Sequence, residues 1–161
     1  MKILVDADSC PRDARELVMR TTRRLGIRAV FAANRPIPGT DSENASMEIC
    51  PPGYNSADNR LVELAEPGDL AVSRDLALAK RLLEKGISVI DDRGRIFTRE
   101  NINELLSIRN FTVGLVDSGI GIERTASYGK KERKAFADRL DSQITKLAKA
   151  DDAKAGKPLV G

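Results

Sequence analysis

The strongest constraint on the fold is an alternation of apolar runs and helical patterns along the first 110 residues. Several of the runs have the composition of buried strands: KILVDAD, IRAVFAAN, ASMEIC, DLAVS and ISVID. Between most of them, apolar residues recur at helical spacing, and Gly26 and Gly86 stand where two of these helices end. Strands and helices that alternate with short connections are typical of a largely parallel sheet. The sequence therefore predicts one doubly wound α/β domain.

The pattern changes near residue 110. A helix is predicted over 99–109 with Thr98 as its cap, and residues 111–129 are predicted to be irregular because they are rich in Gly and Ser. A charged helix follows at 130–150, and its apolar stripe should pack on the domain. The stripe consists of Phe136, Leu140, Ile144 and Leu147.

These elements predict a domain over residues 1–149 that includes the C-terminal helix. Residues 150–161 combine charge, Gly and Pro without periodicity, so we expect a flexible tail there.

The chain contains no histidine, and this absence narrows the chemistry. It excludes Ser-His-Asp and Cys-His catalysis, histidine bases and the usual zinc sites. Two cysteines are too few for a disulfide framework, and Cys10 is either a nucleophile at a helix N-terminus or a packed thiol. Catalysis would have to use carboxylates, hydroxyls, Lys or Arg, and a hard metal ion.

The formal net charge of +3 permits a polyanionic partner without requiring one. Residues 11–28 are locally basic, and so are residues 123–158. No apolar run approaches the roughly 20 residues of a membrane helix, and no signal-peptide pattern opens the chain. We therefore expect a cytoplasmic protein that makes no membrane contact.

Aspartates follow the predicted strands at the points where the strands end. Asp6 and Asp8 close the first strand, Asp75 follows DLAVS, and Asp58 opens the helix after PPGYNSADN. Because the carboxyl ends of parallel strands share one edge of a sheet, these side chains are expected to converge. Converging carboxylates repel one another unless a cation lies between them, and Mg²⁺ or Mn²⁺ prefers such oxygen ligands. The sequence therefore predicts a magnesium or manganese site.

These acids also have structural explanations. Asp75 could cap the helix that follows it, and Asp58 could compensate a helix dipole. One cap accounts for only one carboxylate of the Asp6 and Asp8 pair, so the second charge favours the metal site.

Five segments of the chain are similar to one known family: VDADSCP, GYNSADN, EPGDLAVSRDLALAKRLLEKG, RGRIFTRENINELLSIR and KKERKAFADRLD. From Met1 to about Leu140 the chain resembles the YaiI/YqxD family of small uncharacterised bacterial proteins, which is usually grouped with the PIN-like domains. This resemblance implies a Rossmann-like, three-layer α/β/α fold and an acidic pocket that binds Mg²⁺ or Mn²⁺. The best-known PIN-like proteins are metal-dependent ribonucleases.

The resemblance carries the family's motifs onto four aspartates and two supporting residues: Asp6, Asp8, Asp58, Asp75, Asn59 and Ser73. A fourth PIN-like acid would lie after the next strand, at Asp91 or Asp92. Both of those positions are also explained by turn chemistry.

The leading hypothesis is a Mg²⁺- or Mn²⁺-dependent nuclease that hydrolyses RNA or single-stranded nucleic acid, with the four aspartates holding the metal directly or through water. Basic residues near the cluster would guide phosphates: Arg12, Arg15, Arg74 and Lys80. Two alternatives stay open, a haloacid-dehalogenase-type phosphatase with Asp6 as nucleophile and a non-catalytic protein that binds metal and nucleic acid. The sequence leaves open the substrate and the oligomeric state, a homodimer included.

Overall fold

The computed structural model describes residues 1–40, 42–53, 55–117 and 127–155. Within them lie six strands: β1 (Lys2–Asp6), β2 (Arg28–Ala33), β3 (Ala45–Ile49), β4 (Leu70–Val72), β5 (Ser88–Ile90) and β6 (Ile96–Phe97). They form one sheet in the order β3-β2-β1-β4-β5-β6. The first five strands are parallel, and β6 is antiparallel to β5. The predicted, largely parallel sheet is confirmed.

Five helices lie within the same residues: α1 (Arg12–Leu25), α2 (Ser56–Leu64), α3 (Leu76–Glu84), α4 (Arg99–Asp117) and α5 (Lys130–Ala155). Buried side chains of α1 and α5 share one core cluster on one face of the sheet. Buried side chains of α2, α3 and α4 share a second cluster on the other face. The predicted three-layer α/β/α architecture is therefore confirmed.

The central strand β1 shows why its sequence is a continuous apolar run. Ile3 and Val5 belong to the cluster under α1 and α5, whereas Leu4 belongs to the opposite cluster. A strand that is covered by helices on both faces buries every side chain, so its sequence shows no polar alternation.

Two predicted helix ends are confirmed in detail. Gly26 ends α1 in the left-handed conformation, at a φ of 67°, and its N–H donates to Thr22 O. Thr98 caps α4, since the Asn101 N–H donates to Thr98 Oγ1 over 3.0 Å and the Thr98 N–H donates back to Asn101 Oδ1 over 2.8 Å. Such reciprocal bonds satisfy two N–H groups that have no partner inside the helix.

Two predicted boundaries were wrong. The helix α4 continues to Asp117 instead of ending at residue 109, because one glycine within its last turns is tolerated in a helix. The helix α5 continues to Ala155, so the first residues of the predicted tail are helical. Their Ala and Lys content favours a helix. Within the predicted irregular segment and tail, residues 118–126 and 156–161 lie outside the described residues, and residues 127–129 are irregular as predicted.

The order of the strands determines where a ligand can bind. From β1 the chain proceeds through β2 to β3 on one side, and α2 then returns it to β4 on the other side of β1. In sheets of this kind, ligands bind outside the carboxyl ends of the two strands where this reversal occurs. Here those strands are β1 and β4. No helix among the described residues is long and apolar enough to cross a membrane.

Candidate metal centre

A cavity of about 450 Å³ lies where β1 and β4 end. Twelve residues line it: Asp6, Asp8, Ser9, Asn34, Asn55, Ser56, Ala57, Asp58, Arg74, Asp75, Leu76 and Arg109. The four aspartates that the sequence assigns to a metal are all among them. We call this space the acidic cavity.

Asp6 forms the buried wall of the acidic cavity and is only 6% exposed. Val5 pairs with Val72 across β1 and β4, which brings Asp6 beside Ser73. The hydroxyl of Ser73 donates to Asp6 Oδ2 over 3.0 Å, and that of Ser9 donates to the same oxygen over 2.9 Å. Burial is the main cause that raises the pKa of Asp6, and Asp75 and Asp8 raise it further, while the two serines oppose them.

Asp8 reaches the acidic cavity from the turn that follows β1, and its side chain is 36% exposed. The backbone N–H of Asn34 donates to Asp8 Oδ2 over 3.1 Å. The other carboxylate oxygen is 4.0 Å from Nε of Arg35. One oxygen is thus oriented by the loop after β2, and the other faces a single exposed arginine.

Asp75 both caps a helix and lines the acidic cavity. Its Oδ1 accepts the N–H groups of Ala77 over 3.0 Å and Leu78 over 3.2 Å, so the predicted helix cap is confirmed. The cap uses one of the two carboxylate oxygens. The structural explanation of Asp75 and its place in the site therefore do not exclude each other.

Asp58 lies in the first turn of α2 and contacts Asp75. Burial raises the pKa of Asp58 to about 6, together with the negative charges of Asp6 and Asp75 and a hydrogen bond to Asp75, while Arg81 opposes them. Burial and the neighbouring negative charges therefore outweigh the opposing positive charge of Arg81 at this carboxyl group.

Arginines stand at the rim of the same cavity. Arg74 lines it and forms an ion pair with Asp92. Arg109, from the C-terminal half of α4, also lines it. Among the described residues, no arginine or lysine forms an ion pair with Asp6, Asp58 or Asp75.

Several residues assigned to the site by sequence lie outside the lining of the acidic cavity. Asp92 is buried and pairs with Arg74, and Asn59 is exposed on α2. Lys80 lines a separate cavity with residues of α3 and α4. Asp91 has the predicted turn role, because its Oδ1 accepts the N–H groups of Arg93 and Arg95.

The two predicted arginines of α1 also lie elsewhere. Arg12 and Arg15 line a cavity of about 370 Å³ with Glu16, Pro38 and Gly39. Arg12 donates to Glu16 over 3.1 Å, and Arg15 donates to the carbonyl of Cys10 over 2.7 Å. Both arginines are therefore engaged at the start of α1.

Sequence reasoning missed five polar residues that line the acidic cavity: Ser9, Asn34, Asn55, Ser56 and Arg109. Asn34 ends a predicted strand and Asn55 follows a Pro-Gly pair before a predicted helix. Both positions could therefore have been placed at the ligand-binding edge of the sheet from the sequence. Asn55 adopts a left-handed φ of 60°, which asparagine tolerates better than most residues. No sequence feature near Arg109 predicts its place in the site, because only the packing of α4 on the domain brings it to the cavity.

Comparison with known proteins identifies the family of this chain. The family model "Uncharacterized BCR, YaiI/YqxD family" matches residues 4–146. The chain belongs to the YaiI/YqxD family. All four aspartates of the acidic cavity lie inside the matched region.

Relatives in the YaiI/YqxD family match over nearly their whole length. A "UPF0178 protein" of Treponema denticola is 47% identical over 149 residues, which are 92% of this chain and 95% of the relative. Another of Treponema pallidum is 44% identical over 160 residues, 98% of this chain and 90% of the relative. One of Syntrophobacter fumaroxidans is 45% identical over 149 residues, 92% and 97% of the two chains. No solved structure matches this chain significantly.

Cys10 of this YaiI/YqxD chain is a packed thiol. Its side chain belongs to the core under α1 and α5 and is 6% exposed. Burial and the nearby charge of Asp92 raise the pKa of Cys10 to about 12. The thiolate form that a nucleophile needs is therefore scarce at neutral pH.

The donor set of the acidic cavity suits a hydrated Mg²⁺ or Mn²⁺ ion. Among the described residues, no three acidic or thiol side chains converge closely enough to hold a metal together. Magnesium is commonly held by one or two carboxylates and several waters. The contacting carboxyls of Asp58 and Asp75 fit that role, and Asp6 and Asp8 line the same cavity.

Proposed function

We propose that this YaiI/YqxD protein is a magnesium- or manganese-dependent phosphodiesterase that acts on RNA or another single-stranded nucleic acid. The observation that carries the proposal is the acidic cavity, where four aspartates and two arginines meet at the carboxyl ends of β1 and β4. Among the described residues, Asp6, Asp58 and Asp75 form no ion pair, which favours a metal ion, and the arginines at the rim favour phosphate.

Three of the four carboxylates that would hold the ion are oriented by hydrogen bonds from the protein. Ser9 and Ser73 hold one oxygen of Asp6, and the first turn of α3 holds one oxygen of Asp75. Asp8 is held by the backbone after β2. Ligands that are fixed in this way need little rearrangement when a cation arrives.

The arginines would bind the substrate's phosphate. A guanidinium group presents several N–H donors in a plane, which matches two phosphate oxygens at once. Arg74 enters the cavity from the end of β4 and Arg109 from α4, so they approach from different elements. A phosphate between them would lie beside the aspartates.

A bound Mg²⁺ or Mn²⁺ would supply an activated water molecule and neutralise charge on the phosphodiester. The chain has no histidine that could act as the base instead. The amide and hydroxyl groups of Asn34, Asn55 and Ser56 line the same cavity and could contact the sugar. These polar groups support a nucleic-acid substrate rather than an apolar one.

The test is cleavage of end-labelled RNA and single-stranded DNA oligonucleotides with Mg²⁺ or Mn²⁺. Cleavage should require the metal and should be lost in Asp8→Asn. This position suits the test because its side chain is 36% exposed, so the substitution should leave the fold intact. Asp138→Asn, on the exposed side of α5, is the matched control and should cleave normally.

Other outcomes would decide against the proposal. Absence of cleavage with either metal over varied RNA and DNA substrates would exclude it. Hydrolysis of a small phosphate monoester, inhibited by beryllofluoride, would favour the phosphatase alternative, although burial of Asp6 makes it a poorly accessible nucleophile. Metal binding without turnover would favour the non-catalytic alternative.

A further inference from the structure

Arg74 lines the acidic cavity, yet its ion pair is made with an acid outside the lining. One guanidinium nitrogen, Nη2, contacts Asp92 Oδ2. The Asp92 side chain is 4% exposed, whereas that of Arg74 is 44% exposed. The buried carboxylate thus holds an arginine that otherwise extends into solvent and the cavity.

Without Asp92, the guanidinium group of Arg74 would be attracted by the aspartates of the acidic cavity. It directly precedes Asp75 in the chain and shares the cavity with Asp6, Asp8 and Asp58. A guanidinium placed among four carboxylates gains Coulomb energy by pairing with them, and it would then stand where a metal ion would bind. The pair with Asp92 therefore leaves the cavity's acids available.

The turn that carries Asp92 is held against α5. It lies in the turn between β5 and β6, and Arg139 of α5 donates to the Gly94 carbonyl in that turn over 2.9 Å. At Gly94 a Cβ atom would lie 2.6 Å from the backbone oxygen of Ala135, and φ is +88°. Only glycine permits this close approach of the turn to α5.

We propose that Asp92 is a positioning residue, which holds Arg74 at the rim of the acidic cavity so that the arginine meets phosphate and leaves the aspartates to the metal ion. The identity of those ligands rests on the proposed function. The proposal gives Asp92 a role through Arg74, in place of the metal-ligand role that the resemblance implies.

The experiment measures Mn²⁺ affinity, without nucleic acid, by calorimetric titration of four proteins: the wild type, Asp92→Asn, Arg74→Ala and the double variant. Asp92→Asn should bind Mn²⁺ about tenfold more weakly, because Arg74 turns towards the aspartates. Arg74→Ala should keep wild-type affinity or exceed it. The double variant should match Arg74→Ala, since no arginine is left to compete.

Two results would overturn the proposal. One is wild-type affinity in Asp92→Asn. The other is equal weakening in Asp92→Asn and the double variant, which would mean that Asp92 acts on the metal directly or through the fold. If Asp92→Asn is too unstable to titrate, Asp92→Glu replaces it, because one added methylene displaces Arg74 and should weaken Mn²⁺ binding in the same direction.

The chain offers a matched control at the other end of β4. Asp69 is also a buried acid with one cationic partner, Lys2, at 2.7 Å. Asp69→Asn removes a comparable pair and should lower the melting temperature without changing Mn²⁺ affinity. A loss of affinity there would mean that the titration reports stability only, and it would count against the proposal.

A wild-type protein that binds no Mn²⁺ would refute the metal part of the proposed function. The positioning role would then be decided by NMR of the Arg74 side-chain Nε–Hε signal, which is assigned through its loss in Arg74→Ala. A shift or broadening of that signal in Asp92→Asn would support positioning by Asp92. An unchanged signal would overturn it.

Discussion

The two ends of the central strands carry buried aspartates in opposite electrostatic situations. At the amino end, Asp69 accepts from the Lys2 ammonium over 2.7 Å, from the Lys2 N–H over 3.0 Å and from the Glu66 N–H over 2.9 Å. At the carboxyl end, Asp6 and Asp58 have other aspartates as charged neighbours, and both have raised pKa values.

The contrast distinguishes Asp69, which stabilises the fold, from the aspartates of the acidic cavity, which are placed to bind a cation. Asp69 has its partner charge within the chain, so folding itself satisfies it. At the carboxyl end only Asp8 has an ion pair among the described residues, with the exposed Arg35. The repulsion among Asp6, Asp58 and Asp75 lowers stability until a cation binds. Three predictions test whether the two ends really differ in this way.

The largest effect is expected at the amino end. Asp69→Asn should lower the free energy of unfolding by about 2 kcal/mol, because Lys2 loses its buried partner and keeps only the exposed Glu66 at 3.5 Å. Urea titration of the wild type and the variant at neutral pH measures this loss. A change below about 0.5 kcal/mol would remove the contrast between the two ends, since such values are usual for surface substitutions.

A smaller effect is expected when metal is added. At roughly ten times its dissociation constant, Mn²⁺ should raise the free energy of unfolding of the wild type by about 1.4 kcal/mol. Asp75→Asn should lose this increment and keep its fold, because asparagine also caps helices well.

Asp69→Asn is the control for the metal effect. It should be less stable than the wild type, but Mn²⁺ should raise its free energy of unfolding by the same amount. Thermal melts with Mn²⁺ and with EDTA measure all three proteins. An increment that survives in Asp75→Asn would place the metal elsewhere.

The smallest effect concerns pH in the metal-free protein. The pKa of Asp58 is about 6 in the folded state against 3.8 for an unperturbed aspartate, so between these values the folded protein binds more protons than the unfolded chain. Its contribution to stability is therefore present below about pH 4 and lost as pH rises through 6.

Asp58→Asn should consequently be more stable than the wild type by about 1 kcal/mol at pH 8, a value reduced for solvent screening, and nearly equal to it at pH 4. Urea titrations in EDTA at the two pH values measure the difference. Asp58→Asn that is less stable than the wild type at pH 8 would contradict the repulsion that we describe.

Much of the fold followed from local patterns. The caps at Gly26, Thr98 and Asp75 act within one helical turn, so residue type and position were enough to predict them. The end of α4 was not predictable in this way, since a single glycine can lie inside a helix or end one.

The candidate site was predictable to the extent that strand ends determine position. Asp6, Asp8, Asp58 and Asp75 line the acidic cavity because parallel strands share one edge, and helices begin at that edge. Lys80 and Arg12 do not line it, although they follow the same strands along the chain. The direction in which each of these two side chains points depends on its position around the helix axis and on how the helix packs on the sheet.

The sequence by itself determined the layers, the edge at which the acids gather and the absence of histidine chemistry, since periodicity, strand direction and composition are local properties. The tertiary structure alone decided the partners of the charged residues. Asp92 pairs with Arg74, Asp69 pairs with Lys2, and Arg109 comes to the cavity from a distant helix. Ion pairs form between charges that lie close together in space, and packing brings together residues that are far apart in the sequence.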